Sequence, residues 1–359
     1  MLVRYGKKKN GSPEKIAEIY TLKEHGIRRE DIDPEAVSII RRLSSHGYRA
    51  YIVGGAVRDL LLGKKPKDFD LATDAIPGRI RAIFKNSRII GRRFPLVHVY
   101  YPDKIIEVST FRDQRTDDIS RDGSAAKDAR TRDFSVNALF YDPEKEQVID
   151  FVGAMKDMEK KVINPLLSLD TIFLEDPVRM LRAVRYGVLT GFSLNRGLRV
   201  TLIKQTQLLS NISSSRLTEE LFKMLSSGFS LPIFSMMADL GLFDKLLPVC
   251  GSLIEAKGAE KDVKLPDAFF RSLETLDELV KQEKPVKRSA MVYYLMAPFV
   301  EKSVDWKENR ELLYRDCFYK VKELLNPLTP PNAEVEGAVR MMFVERHLQP
   351  LHRRFAVRG

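Results

Sequence analysis

The spacing of apolar positions changes once along this chain, near residue 160. Residues 1 to about 35 are polar, charged and without apolar periodicity, which predicts an extension, flexible or draped on the body. In "DPEAVSIIRRLSSHG", Val37, Ile40 and Leu43 recur at helical spacing and His46-Gly47 supplies a stop. "YRAYIV" is a short apolar run of strand length, and "GGAVRDLLLG" after it predicts a turn into a short helix. "FDLA" predicts a second strand. "TDAIPGRIRAIFKN" predicts a helix with Pro77 in its first turn and Ile80, Ile83 and Phe84 on one face. "LVHVYY" and "KIIEVSTF" predict two further strands. Arg112 to Arg130 holds almost no large apolar residue and predicts a mobile loop. "FSVNALFYD" and "QVIDFV" then resume regular structure. Beyond residue 160, "EDPVRMLRAVRYGVL", "SSRLTEELFKMLSSG" and "LPIFSMMADLGLF" carry apolar residues three and four apart, so the remainder is expected to be all helical.

Length, charge and cysteines narrow the class. At 359 residues the chain exceeds the ~250 at which single cores stop growing, so two or more domains are expected. A formal net charge of +11 suits a polyanionic partner such as nucleic acid. Two distant cysteines, Cys250 and Cys317, make neither a metal motif nor a disulfide framework. The five histidines form no HExxH. No apolar run approaches ~18 residues, and the N-terminus has no secretory pattern, so a cytoplasmic protein with no membrane partner is expected.

The candidate chemistry starts at "KKPKDFD". In a strand, Asp68 and Asp70 project from one face, with Phe69 turned the other way. Adjacent carboxylates repel unless a hard cation sits between them, and Mg²⁺ is commonly held by one or two carboxylates plus substrate phosphates. An isolated DxD is weak evidence, because a solvated turn with two incidental aspartates gives the same pattern. The context adds weight. Gly54 and Gly55 follow a strand and open a helix, where bare backbone can approach phosphate, and Arg58 lies one turn on. There is no GxxxxGK[ST], so this is not a P-loop. Glu107, flanked by Ile106 and Val108, is a third acid for the same sheet face. Three acids, a glycine turn and arginines are the parts of two-metal nucleotidyl transfer.

At this point the motifs become specific. "VGGAVRDLLLGKKPKDFDLATDA", "RTRDFSVNALFYD", "EDPVRMLRAVRYG" and "SSSRLTEELFKML" occur in an order that resembles the class II nucleotidyltransferase superfamily. That superfamily includes bacterial poly(A) polymerases and tRNA CCA-adding enzymes. The resemblance implies an α+β polymerase-β-like head with a mixed sheet, followed by an all-α neck, body and tail. It places an N-terminal extension at 1–35, the catalytic head at 36–160, the neck at 161–228, the body at 229–330 and a tail at 331–359, a candidate RNA contact. It implies Asp68 and Asp70 as ligands of a two-metal Mg²⁺ site, and Glu107 and Asp133 as further catalytic acids, with the third metal-side acid open between them. Gly54, Gly55, Arg58 and Arg132 are the implied triphosphate contacts. Thr131 stands where the family usually has a first arginine, and "SLDTIFL" lacks the usual basic-aromatic pair before "EDPVR".

Asp176 and Arg179 are three apart, one face of a helix, with an acceptor beside a donor. Adenine and cytosine offer an amino donor beside a ring acceptor, whereas guanine and uracil reverse the order. A mismatch buries unpaired polar groups, so the pair would take A or C. Arg182, Arg185 and Arg216 are candidate contacts to triphosphate or primer. "GRRFPLVH", Gly91 to His98, resembles the poly(A) polymerase branch, with Arg92 and Arg93 as sequence-blind RNA contacts. The expected activity is therefore addition of AMP from ATP to an RNA 3′ end. The alternatives are CCA addition to tRNA and a non-catalytic RNA-binding descendant of the fold. Oligomeric state is not legible.

Overall fold

The computed structural model describes residues 1–7, 12–91, 95–111, 121–255, 264–282 and 285–350. The chain divides into two compact units, Met1–Leu169 and Asp170–Gly359.

The first unit is built on a nine-stranded mixed sheet. Its strands are β1 (Leu2–Lys7), β2 (Pro13–Thr21), β3 (Ala50–Val53), β4 (Asp70–Thr73), β5 (Ser87–Ile90), β6 (Leu96–Tyr100), β7 (Ile105–Thr110), β8 (Leu139–Asp142) and β9 (Gln147–Asp150). They lie in the order β1-β2-β9-β8-β3-β4-β7-β6-β5, and only β4 and β7 run parallel. Both faces of the sheet are covered at its centre, which is why β3 is buried at all four positions. On one face Ile52, Leu71, Val97, Val99 and Val108 share a core with Val37, Ile40, Leu43, Val57 and Ile80 from three helices. On the other, Tyr51, Val53, Ala72, Phe140 and Ile149 pack with Ala125, Ala126 and Ala129. The helix Pro34–Ser45 forms as its spacing predicts. Asp33 caps it, accepting from the Glu35 and Ala36 amides at 2.9 and 3.2 Å, and Pro34 opens it.

Two expectations are corrected here. The N-terminal stretch is not merely an extension, because β1 and β2 belong to the sheet. β2 pairs with β9, Glu18 opposite Asp150 and Ile19 opposite Ile149. Only Ala17, Glu18 and Ile19 of this strand are buried, so a mostly polar edge ribbon hid its strand character. Within the expected loop Arg112 to Arg130, the segment Arg121–Thr131 is a helix. It buries alanines rather than large side chains, so the apolar signal was weak. Residues 112–120 lie outside the described residues.

Among its described residues, the regular structure of the second unit is helical apart from the two-residue strand Ser193–Leu194. Its longer helices include Val178–Thr190, Ser214–Leu225, Leu265–Lys281, Arg288–Ser303, Arg310–Leu325 and Asn332–Glu345. Phe234, Phe243, Phe269 and Phe299 form an aromatic core with ring centroids 5.2 to 6.0 Å apart. Buried Asp277 accepts from the Ser230 and Leu231 amides at 2.6 and 2.9 Å, tying one helix start to another helix. No helix among the described residues is long and apolar enough to cross a membrane.

Candidate active site

The buried run of β3 ends at Gly54, whose φ of 71° and ψ of −130° suit glycine alone. A Cβ here would stand 3.3 Å from Arg132 Nη1. The helix Gly55–Leu61 follows and carries Arg58 inward, 6% exposed. Arg58 donates from Nη1 to Asn137 Oδ1 at 2.7 Å and from Nε to Asp59 at 2.9 Å. Arg132 donates from Nη2 to Asp128 at 2.8 Å and from Nη1 to the Asn137 carbonyl at 3.1 Å, and stacks over Phe140. Asp133 Oδ1 accepts from the Phe134 amide at 2.8 Å and from Asn137 Nδ2 at 3.3 Å. The structure thus places both expected phosphate arginines and one expected acid in a brace behind the glycine turn. Its hub is Asn137, which sequence reasoning missed. The signal was available: a lone amide inside the apolar run "VNALF" must find buried partners.

The remaining acids sit at β4 and β7. Asp70 opens β4, paired with Val53, and Asp68 lies just before the strand rather than in it. Phe69 between them packs on the first core, so the alternation continues. Leu71 pairs with Val108 in parallel register, which sets Asp70 beside Glu107 one step earlier, on the opposite face from those two core residues. Asp68, Asp70 and Glu107 are all exposed. Glu107 also meets His98 on β6, Nε2 to Oε1 at 3.2 Å. The two candidates for third acid are therefore separated: Glu107 shares a face with Asp70, whereas Asp133 belongs to the Asn137 brace. Among the described residues, no three acid, histidine or cysteine side chains gather closely enough to hold a metal by themselves. Exposed carboxylates at one site still fit Mg²⁺, which takes few protein oxygens and completes its shell with substrate oxygens and water.

In the second unit the expected pair is arranged differently. Asp176 is not on the helix with Arg179. It stands at the junction after the short helix Ile172–Glu175, and Pro177 opens the next helix at Val178. The proline disfavours helical backbone at the residue before it. Arg179 Nη1 donates to the Ile172 carbonyl at 3.0 Å and to Glu175 at 3.1 Å. Asp176 instead meets Arg216, whose Nη2 lies 2.9 Å from each carboxylate oxygen. Arg182 and Arg185 converge on Glu220, a second residue the sequence reading missed. Glu220 is 2% exposed, with Arg185 Nη2 at 2.7 Å and Arg182 Nε at 3.7 Å. Burial alone would draw Arg185 down, but Tyr186 and Glu220 outweigh it and raise its pKa. A cavity of about 230 Å³ opens here, lined among others by Val178, Arg182, Arg216 and Lys223. Arg92 and Arg93 lie outside the described residues.

Comparison with known proteins decides the family. A family described as "Poly A polymerase head domain" matches residues 50–164, the span from β3 past the Asn137 brace. Another, "Probable RNA and SrmB- binding site of polymerase A", matches residues 191–252, which include Arg216 and Glu220. Poly(A) polymerase I of Salmonella typhi is 36% identical over 316 residues, covering 82% of this chain and 67% of that protein. The chain belongs to the nucleotidyltransferase family of poly(A) polymerases and CCA-adding enzymes. Its coarse activity is nucleotidyl transfer at RNA 3′ ends. Within the family, the CCA-adding enzyme of Geobacillus thermodenitrificans is 38% identical over 215 residues, 58% of this chain and 53% of that one. The crystal structure of the Bacillus stearothermophilus CCA-adding enzyme in complex with CTP is similar at a TM-score of 0.58 and 26% identity, covering 88% and 83% of the two chains. Asp176 and Arg179 fall between the two matched segments.

Proposed function

We propose that this chain is a poly(A) polymerase, joining AMP from ATP to RNA 3′ ends and releasing pyrophosphate. The observation that carries this is extent of likeness: matches to poly(A) polymerase I run over as much as 82% of the chain, against 58–66% for the CCA-adding relatives. The "GRRFPLVH" pattern supports the same branch.

The exposed Asp70 and Glu107 positions of β4 and β7 suit the chemistry. Asp68 and Asp70 would hold Mg²⁺, with Glu107 beside them. The metal would supply Lewis-acid activation of the attacking 3′-hydroxyl and neutralise charge on the triphosphate. The 3′ oxygen bonds to the α-phosphorus as the bond to pyrophosphate breaks. Gly54 and Gly55 let backbone approach the triphosphate, while the Arg58–Asn137–Arg132 brace fixes the turn from behind. Asp176 and Arg179 would read an amino group beside a ring acceptor, which admits ATP and CTP and rejects GTP and UTP. That is why the base-reading motif alone leaves CCA addition as the second reading, and the likeness to a CTP-bound enzyme supports keeping it.

The test uses purified protein, Mg²⁺, single nucleotides and two primers, a generic RNA and a tRNA trimmed of its CCA end. Long adenylate tails on the generic RNA are expected. Addition confined to C, C and A on the tRNA would establish the second reading. RNA binding without incorporation would leave a non-catalytic binder.

A further inference from the structure

Asp176 has fewer open acceptor positions than its exposure suggests. A carboxylate offers about four lone-pair sites. Its Oδ1 accepts from the Val178 amide at 3.3 Å and from Arg216 Nη2 at 2.9 Å. Its Oδ2 accepts from the same Nη2 at 2.9 Å. One site therefore remains, on Oδ2. Arg179 stands differently. Its Nη1 is committed to the Ile172 carbonyl and Glu175, which leaves its Nε and Nη2 donors for a ligand. Arg216 comes from the helix Ser214–Leu225, 40 residues away, so its grip also links that helix to the Asp176 junction.

We infer that Arg216 is a specificity-determining residue, which holds Asp176 so that a single acceptor faces the incoming base. This inference rests on the base-reading role proposed above for Asp176 and Arg179. It replaces the expected role of Arg216 as a phosphate contact. The chemistry follows from the count. One fixed acceptor next to a donor matches one exocyclic amino group next to a ring nitrogen acceptor, the edge shared by adenine and cytosine. A carboxylate released from Arg216 turns about its side-chain bonds and recovers open lone pairs. It then loses its fixed aim at the amino group, while the penalty it imposes on the carbonyl of guanine or uracil weakens. Arg216 suits this task because its side chain is half exposed, and so can hold the carboxylate without filling the space beside it. It touches Asp176 rather than the base, so it is a positioning residue.

The experiment measures kcat/KM for ATP, CTP, GTP and UTP on one RNA primer, using the full chain. R216Q and R216M should both narrow the ATP-over-GTP ratio by about tenfold, the size of one lost oriented contact. R216K should recover part of the ratio, since an ammonium can still sit against both oxygens. Thermal unfolding of each variant checks the fold, and the two uncharged replacements back each other up. A common fall for all four nucleotides, or none, would overturn the inference, because a purely structural link would not change the ratio. Asp176→Ala is measured alongside. If it too leaves the ratio unchanged, the base-reading assignment itself fails. If it narrows the ratio while R216Q and R216M do not, only the role of Arg216 fails.

Discussion

Arg58 and Asn137 meet in a 2.7 Å hydrogen bond between residues 79 apart in sequence. The same amide donates to Asp133, and its backbone carbonyl receives Arg132. The glycine turn at Gly54 is thus set by a buried side chain on a distant segment.

Asn137→Ala should lower stability by about 1–3 kcal/mol, since it leaves the buried Arg58 guanidinium short of a partner. It should also lower kcat/KM for ATP, on the order of 10²-fold if the turn moves by an ångström. Urea unfolding and steady-state kinetics measure the two effects. A stable variant with unchanged kinetics would remove Asn137 from the site.

Asp70→Ala should abolish nucleotide addition yet change stability by less than about 0.5 kcal/mol, because the side chain is exposed. Wild-type-like incorporation would sink the metal assignment. The comparison of Glu107→Gln with Asp133→Asn then identifies the third acid. On the placement found here, the Glu107 change should lower kcat at unchanged stability. The Asp133 change should lower stability, through its bonds to the Phe134 amide and Asn137.

Glu220→Ala should destabilise the second unit by about 3–5 kcal/mol, the effect of stranding a buried partner charge. Arg185 is that partner, with 12% of its side chain exposed. Glu220→Gln keeps an acceptor and should cost less. The order of the two unfolding midpoints checks the argument, and equal midpoints would show that the charge on Glu220 is immaterial.

What could be read in the sequence followed from how local each signal is. The run "AYIV", the glycine pair and the helix after Asp33 are written in adjacent residues, and each formed where expected. The ribbon β1–β2 was hidden because an edge strand needs few apolar residues, and the helix Arg121–Thr131 because alanine buries little surface. Asn137 and Glu220 were missed for another reason. The lone amide in "VNALF" announces only that Asn137 needs buried partners; which partners it and Glu220 find is set by the tertiary fold, so no spacing rule names their roles. The Asp176–Arg179 pair shows the converse error. Three-residue spacing implied a shared helix face, but Pro177 breaks the helix between them.

The pairing of β2 with β9 makes the fold sensitive to acid. Glu18 and Asp150 are buried carboxylates directly opposite one another across β2 and β9. Like charges in that position repel. Asp150 is satisfied by the backbone amides of Val152, Gly153, Ala154 and Met155. Glu18 is satisfied by Lys15 and by the Tyr20 hydroxyl at 2.8 Å, with Lys156 at 3.7 Å. The Lys15 and Tyr20 hydrogen bonds outweigh burial and hold the Glu18 carboxyl below its ordinary value. A group whose folded pKa is depressed stabilises the fold above its unfolded pKa, about 4.3 for glutamate, and loses that contribution as pH falls through the lower folded value. The contribution of Glu18 to wild-type stability should therefore fall away on acidification below about pH 5. Glu18→Gln removes the titrating group, so its urea midpoint should change less over the same range, although it starts lower at pH 7. Parallel curves for the two proteins between pH 7 and pH 3 would show that the Lys15–Glu18 contact carries no proton linkage.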